Sequence, residues 1–251
     1  ETAFERLSTG KRINSASDDA AGLAIATELN SRVSGLNQAV RNVNDGISMV
    51  QIMEGTYDEV TSILQRMRDM AVQAANGSLS STEQGYLETE QTALQSALND
   101  ALEQATFSNI DLADNTSASV ISISIQAGSN TGDAVSIALT SANASNASGL
   151  GITAIDLSSA ATAAIGLADA AIGHVATQRA QLGAYQAQLE STVRNLSNVA
   201  ENTAAAAGRI MDTDYAAETA NLTKAQILQQ AATSVLAQAN AQPQAVLSLL
   251  Q

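Results

Sequence analysis

Residues 29–71 read LNSRVSGLNQAVRNVNDGISMVQIMEGTYDEVTSILQRMRDMA, and the spacing of their apolar positions decides the fold. From Leu29 these positions fall at Val33, Leu36, Val40, Val43, Ile47, Val50, Met53, Tyr57, Val60, Leu64, Met67 and Ala71. The steps alternate between four and three, with one three-three step at Val50 to Met53. That is a heptad seam with a single stammer, which specifies a long helix meeting partner helices along a narrow stripe. Ser17, followed by Asp18 and Asp19, offers an N-cap and an acidic first turn, and Asn76-Gly77 offers a stop. A helix from about Ser17 to Asn76 is roughly 90 Å long at 1.5 Å per residue, far beyond an ordinary globular helix.

Outward from this stretch the same logic repeats. Ser80 and Glu83 have capping-box spacing, and a second helix runs from there to about Ala105 on the seam Leu87, Gln91, Leu94, Leu98, Ala101, Ala105. A third seam reads Ile165, Ala168, Ile172, Val175, Arg179, Leu182, Gln186, Leu189, Val193, Leu196, Ala200. Each stripe is too narrow to be stable alone. The reversal at Gly77 and Ser78 makes the first two helices antiparallel neighbours, and the third is expected along both. The packing positions expected from the three seams are Leu29, Leu36, Val43, Val50, Leu64, Leu94, Leu98, Ile172, Leu182, Leu189 and Leu196.

Between the second and third helices the period changes to two. Val120, Ile121, Ile123 and Ile125 precede a polar turn at Gly128 to Gly132, and Val135, Ile137 and Leu139 alternate after it, which predicts a β-hairpin. Ser141 to Gly149 reads as a loop. After Glu218 the only charge is Lys224, and Ile227, Leu228, Val235, Leu236, Leu247 and Leu250 mark a helical tail with a broad apolar face. Such a face either folds back on the body or is reserved for other subunits.

Composition narrows the function. Aromatic residues are 2% of the chain and tryptophan is absent, so a globule packed around large rings is excluded, and small aliphatic side chains suit close helical seams. A formal charge of −14 with 11 basic residues opposes binding to nucleic acid or an anionic membrane surface. There is no cysteine for a disulfide or thiolate metal site. Polar residues interrupt the tail too often for a membrane span. His174, the one histidine, has no serine motif or glycine-rich elbow beside it and reads as a helix-surface residue. Asp18-Asp19 reads as a helix entry rather than a cation site, and Gly149-Leu150-Gly151 lacks the rest of a dinucleotide fingerprint. No cofactor, metal or catalytic residue is expected. Arg66 and Arg68 have Glu59, Asp69 and Glu90 as available ion-pair partners.

Residues 5–23, ERLSTGKRINSASDDAAGL, together with Leu64 to Asn76, resemble the N-terminal signature of the bacterial flagellins. Arg179 to Leu196 and Ala200 through Asp212-Thr213-Asp214-Tyr215 to Leu250 resemble their C-terminal signature. The resemblance covers about residues 1–110 and 150–251, in the right order. It implies a mainly α protein: an elongated rod of long antiparallel coiled helices with a small β-hairpin region, plus a C-terminal core helix. In that scheme residues 1–14 are a partial linker to the inner core, 15–205 the rod with its variable region at about 111–150, and 206–251 the inner-core helix. The small middle implies a minimal flagellin without large outer domains, and the family pattern implies that a further N-terminal segment precedes Glu1.

The function implied is a self-assembling structural subunit of the extracellular bacterial flagellum. Its implied partners are other copies of the chain, a flagellar export chaperone and the filament cap protein. Arg66, Met70 and Glu90 match the motif contacted by the vertebrate Toll-like receptor for flagellin, with Met70 standing where the family usually has leucine, a nearly volume-neutral exchange. A hook-filament junction protein shares the terminal helical logic, but the run from Ser15 to Leu23 and the small middle favour the filament subunit. A surface binding module would place its site in residues 111–150 or on the rod, where the aromatic platforms common in sugar sites are missing.

Overall fold

The structure is a computed structural model that describes residues 2–113, 120–140, 150–151, 155–157 and 160–248. Among these residues the fold is mainly α, with five helices and two small antiparallel strand pairs. The helices are α1 (Thr2–Thr9), α2 (Ala20–Ala74), α3 (Ser81–Glu103), α4 (Ala161–Met211) and α5 (Tyr215–Ser248). Strands β1 (Thr106–Phe107) and β2 (Ile110–Asp111) form one pair, β3 (Val120–Gln126) and β4 (Ala134–Thr140) the other. The chain divides into two compact units, residues 35–198 and residues 1–34 with 199–251.

In the unit of residues 35–198, α2 buries most of the heptad stripe: Leu36, Val43, Val50, Met53, Tyr57, Val60, Leu64, Met67 and Ala71 are buried, while Val40 and Ile47 are partly covered. Helix α3 starts with a complete capping box, in which the Ser80 hydroxyl accepts from the Glu83 N–H and the Glu83 carboxylate accepts from the Ser80 N–H. The Ser80 hydroxyl, donating to the Glu83 carboxylate at 2.7 Å, and then the Ser80 N–H hold the Glu83 carboxyl below its ordinary pKa. Three sets of ion pairs fix the neighbours of α2. Arg66 reaches Glu90 on α3, Arg68 reaches Asp169 on α4, and Arg179 on α4 reaches Glu54 and Asp58. Rising numbers on α4 meet falling numbers on α2, so those two helices are antiparallel. Leu98, Leu182, Leu189 and Leu196 are buried from α3 and α4.

Leu29, Leu94 and Ile172 depart from the seam expectation, being only partly covered. Small residues take the close positions nearby: Ala26 beside Leu29, and Ala168 and Ala171 beside Ile172, are buried instead. A helix brought close through alanine leaves the longer side chains at the rim of the contact.

The hairpin β3–β4 pairs Val120↔Thr140 through Gln126↔Ala134, with Ile125 and Ile137 buried. Its seat on the helices is specific. A side chain at Gly46 would collide with Ile125, the Tyr185 hydroxyl donates to the Ala138 carbonyl at 3.2 Å, and Asn42 Nδ2 donates to the Gln126 carbonyl at 3.2 Å. The β1–β2 turn places Ser108 and Asn109 at φ of 48° and 65°, left-handed values for which no glycine is present. The expected loop at Ser141 to Gly149 lies outside the described residues.

In the other unit, helix α2 begins at Ala20 rather than after Ser17. Asp19 is the capping residue, its carboxylate accepting from the Gly22 N–H at 2.9 Å. Asp18 instead folds the preceding turn, accepting from the N–H groups of Asn14 at 3.1 Å and Ser15 at 2.9 Å. The Ser15 bond, then the Asn14 bond, hold its carboxyl below the ordinary value. An antiparallel bridge joins Lys11 to Asp212, and the Thr213 N–H donates to the Gly10 carbonyl at 3.1 Å. Gly10 is required there: its φ is +72°, and a Cβ would meet the Tyr215 hydroxyl at 2.8 Å.

Candidate assembly surface

Helix α5 starts where Asp214 caps it, the carboxylate accepting from the N–H of Ala216 at 2.9 Å and Ala217 at 3.3 Å. One side of its first turns faces α1. Glu218 is buried there, and its carboxylate lies 3.9 Å from the Arg6 guanidinium. Neither α1 nor this contact is legible as a seam, because eight residues are too few to show a period. The signal available in the sequence is the single pairing of Arg6 with an acid at 218.

The remainder of α5 is an apolar helix in water. Ile227, Leu228, Val235 and Leu236 are exposed by 60%, 59%, 67% and 62% of their surfaces. Lys224 lies near the start of this face, beside Ile227 and Leu228 in a shallow groove. Leu247 belongs to α5, but its side chain, and the whole of Leu250, lie outside the described residues. Leucines and valines separated by seven or eight residues share one face of a helix. Leaving them wet forgoes roughly 1.5–3 kcal/mol for each side chain that burial would return. An exposed apolar run of this kind, with Lys224 as its one charge beyond Glu218, is unusual on the surface of a soluble monomer.

The other sequence-derived positions fall as follows. Arg66 and Glu90 are at the surface, bound to each other through Nη2 and Oε1 at 2.6 Å. Met70 is 0% exposed and lies in the core, so a partner docking on the Arg66–Glu90 pair meets Met70 only through the helix it packs. Arg68 pairs with Asp169. That acid lies 101 residues away in the chain and could not be singled out from sequence.

His174 is half-buried on α4, with a buried Nδ1 that has no partner among the described residues, and desolvation lowers its pKa. Among the described residues no three His, Cys, Asp or Glu side chains are grouped to hold a metal ion. No helix among them is long and apolar enough to cross a membrane. The described surface offers an exposed apolar run on α5 and, in the unit of residues 35–198, interhelical ion pairs.

Comparison with known proteins agrees with that geometry. Residues 1–118 match the family model of the bacterial flagellin N-terminal helical region, and residues 165–250 match that of the C-terminal helical region. The whole chain aligns with the flagellin of Halalkalibacterium halodurans at 42% identity, covering 92% of that protein. Over 99% of its length it is 39% identical to the flagellar filament 33 kDa core protein of Treponema phagedenis, covering 91% of it. The crystal structure of Bacillus cereus flagellin superposes with a TM-score of 0.52 at 25% identity, over 66% of this chain and 94% of that one.

Proposed function

The chain belongs to the bacterial flagellin family and is a structural subunit of the flagellar filament, and on that premise we propose that the outer face of α5 is the surface through which its copies join. The observation that supports this reading is the exposure of Ile227, Leu228, Val235 and Leu236 on a helix whose one charge beyond Glu218 is Lys224. Repeating one apolar contact along a filament multiplies its effect, since a loss of about 1.4 kcal/mol per subunit already changes each addition constant tenfold.

The same face needs cover before assembly. A flagellar export chaperone that wraps α5 as a helix in a groove would supply it in the cytoplasm. Secretion through the flagellar export apparatus and delivery beneath the filament cap protein complete the route. The exposed Arg66–Glu90 pair is the surface we assign to the Toll-like receptor for flagellin, with Met70 supporting it from beneath.

Val235→Asp tests the central reading. The side chain is exposed, so thermal unfolding should stay unchanged, while sedimentable polymer and chaperone capture should both fall at least about tenfold as a carboxylate enters an apolar contact. Regular filaments from this variant, seen by negative-stain microscopy in wild-type yield, would remove α5 from the role.

A further inference from the structure

Asn76-Gly77 is the one Asn-Gly pair in the chain, and it sits in the reversal between α2 and α3 with both residues exposed. The Ser78 N–H donates to Asn76 Oδ1 at 3.3 Å. That bond folds the side-chain amide back over the Gly77 peptide and draws electrons from Cγ. Among the described residues the Gly77 N–H makes no hydrogen bond, so its nitrogen is free to lose a proton. A Cβ built at Gly77 meets nothing within 4 Å, which leaves room for a ring and for water to reach it.

We propose that Asn76 is a site of spontaneous deamidation and isoaspartate formation in this protein. Hydroxide takes the Gly77 amide proton, and the nitrogen attacks Asn76 Cγ. The N–Cγ bond forms, the Cγ–Nδ2 bond breaks, and ammonia leaves with a proton from water. Water then adds to either carbonyl of the resulting succinimide and opens it. Opening one way gives aspartate at position 76, and opening the other way gives isoaspartate, whose backbone runs through the former side chain. No atom changes oxidation state, and water and hydroxide are the only co-reactants.

The other candidate positions lack this combination. At Asn14-Ser15 the nucleophilic nitrogen is occupied, the Ser15 N–H donating to Asp18 at 2.9 Å. Asn30-Ser31 and Asp45-Gly46, which offer the same ring closure, lie inside α2, where backbone N–H groups are held in the helix. The consequence at position 76 is mechanical as well as electrostatic. Isoaspartate inserts a methylene into a reversal pinned by Leu79 N–H to the Asn76 carbonyl at 3.2 Å and by Gln84 Nε2 to the Ala74 carbonyl at 3.2 Å. Either product also puts a carboxylate just past the C-terminus of α2, where the helix dipole disfavours negative charge.

The test is ageing of the purified full chain in mildly alkaline buffer, followed by peptide mapping that separates aspartate from isoaspartate. Asn76 should convert at least about tenfold faster than any other asparagine, equivalent to about 1.4 kcal/mol in barrier, with isoaspartate the larger product. Gly77→Ala crowds the ring closure, yet the site has room for a methyl group and Gly77 lies outside the left-handed region. That variant should keep the wild-type unfolding curve and slow conversion by a similar factor. Asn76→Gln, which needs a larger ring, should show no conversion at position 76. Conversion of Asn76 at the pace of the helical asparagines, or at an unchanged rate in a folded Gly77→Ala, would overturn the proposal.

Discussion

Tyr57 and Gln91 are buried side chains whose polar atoms have no partner among the described residues. Tyr57 is buried to 1% exposure with a hydroxyl that has no partner among the described residues, and burial pushes its pKa up to about 12. The folded-state value is raised, so with the phenol neutral the fold keeps its full stability below pH 10.0, and stability is lost as pH climbs through about 12 and the buried phenol ionises. Alkaline melts should therefore show the wild type weakening over that window, with Tyr57→Phe losing less. At neutral pH Tyr57→Phe should be about 1 kcal/mol more stable than wild type, because it removes an unsatisfied buried hydroxyl and keeps the ring. A lower midpoint for the phenylalanine variant would mean that the hydroxyl is bonded. Gln91 is the second such residue, fully buried with neither end of its amide partnered among the described residues. In the sequence it occupies a seam position, and periodicity alone does not tell a buried glutamine from a rim one.

Among the elements, two of the four glycines of α2 have opposite prospects, both inside a helix where alanine is intrinsically better by about 1 kcal/mol. Around Gly55 a new methyl group meets nothing within 4 Å, whereas at Gly46 it runs into Ile125 of the hairpin. Gly55→Ala should raise the unfolding midpoint and Gly46→Ala should lower it; equal shifts would mean that the hairpin does not rest on Gly46. Leu36→Asp and Leu189→Asp, each putting an unpaired carboxylate where leucine is buried, should destabilise by roughly 3–5 kcal/mol, read by denaturant unfolding. This is also the scale at which the sequence is most informative. Heptad steps reveal α2, capping-box spacing reveals the start of α3, and alternation reveals β3 and β4, since each signal is local in the sequence. What stays hidden depends on tertiary context. Asp19 and not Ser17 caps α2, because Asp18 is drawn back to Asn14 and Ser15. Alanines hold the close approach where Leu29 and Ile172 were expected, and α1 is too short to show a pattern.

For the whole molecule, charge opposes what the α5 face favours. Each copy carries −14, so every subunit added to a filament brings like charge toward like. Salt shortens the reach of that repulsion to about 10 Å at 0.1 M and leaves apolar contact intact. The concentration needed for polymerisation should fall as sodium chloride rises through that range, measured by sedimentation. A rising threshold would place the dominant subunit contacts among ion pairs instead of on α5. The exposed apolar run is legible in the sequence, since a tail with one charge after Glu218 is no ordinary soluble surface; the contact of the first turns of α5 with α1 is not. The tyrosines buried and exposed along the way carry one more consequence. With no tryptophan in the chain, its near-ultraviolet light comes from four phenols. Tyr215 alone belongs to the unit that holds both termini, and Tyr57, Tyr86 and Tyr185 to the other. A single Tyr215→Phe variant therefore makes the first unit optically silent, and the difference between two emission curves reports, without any added dye, the order in which the two units melt.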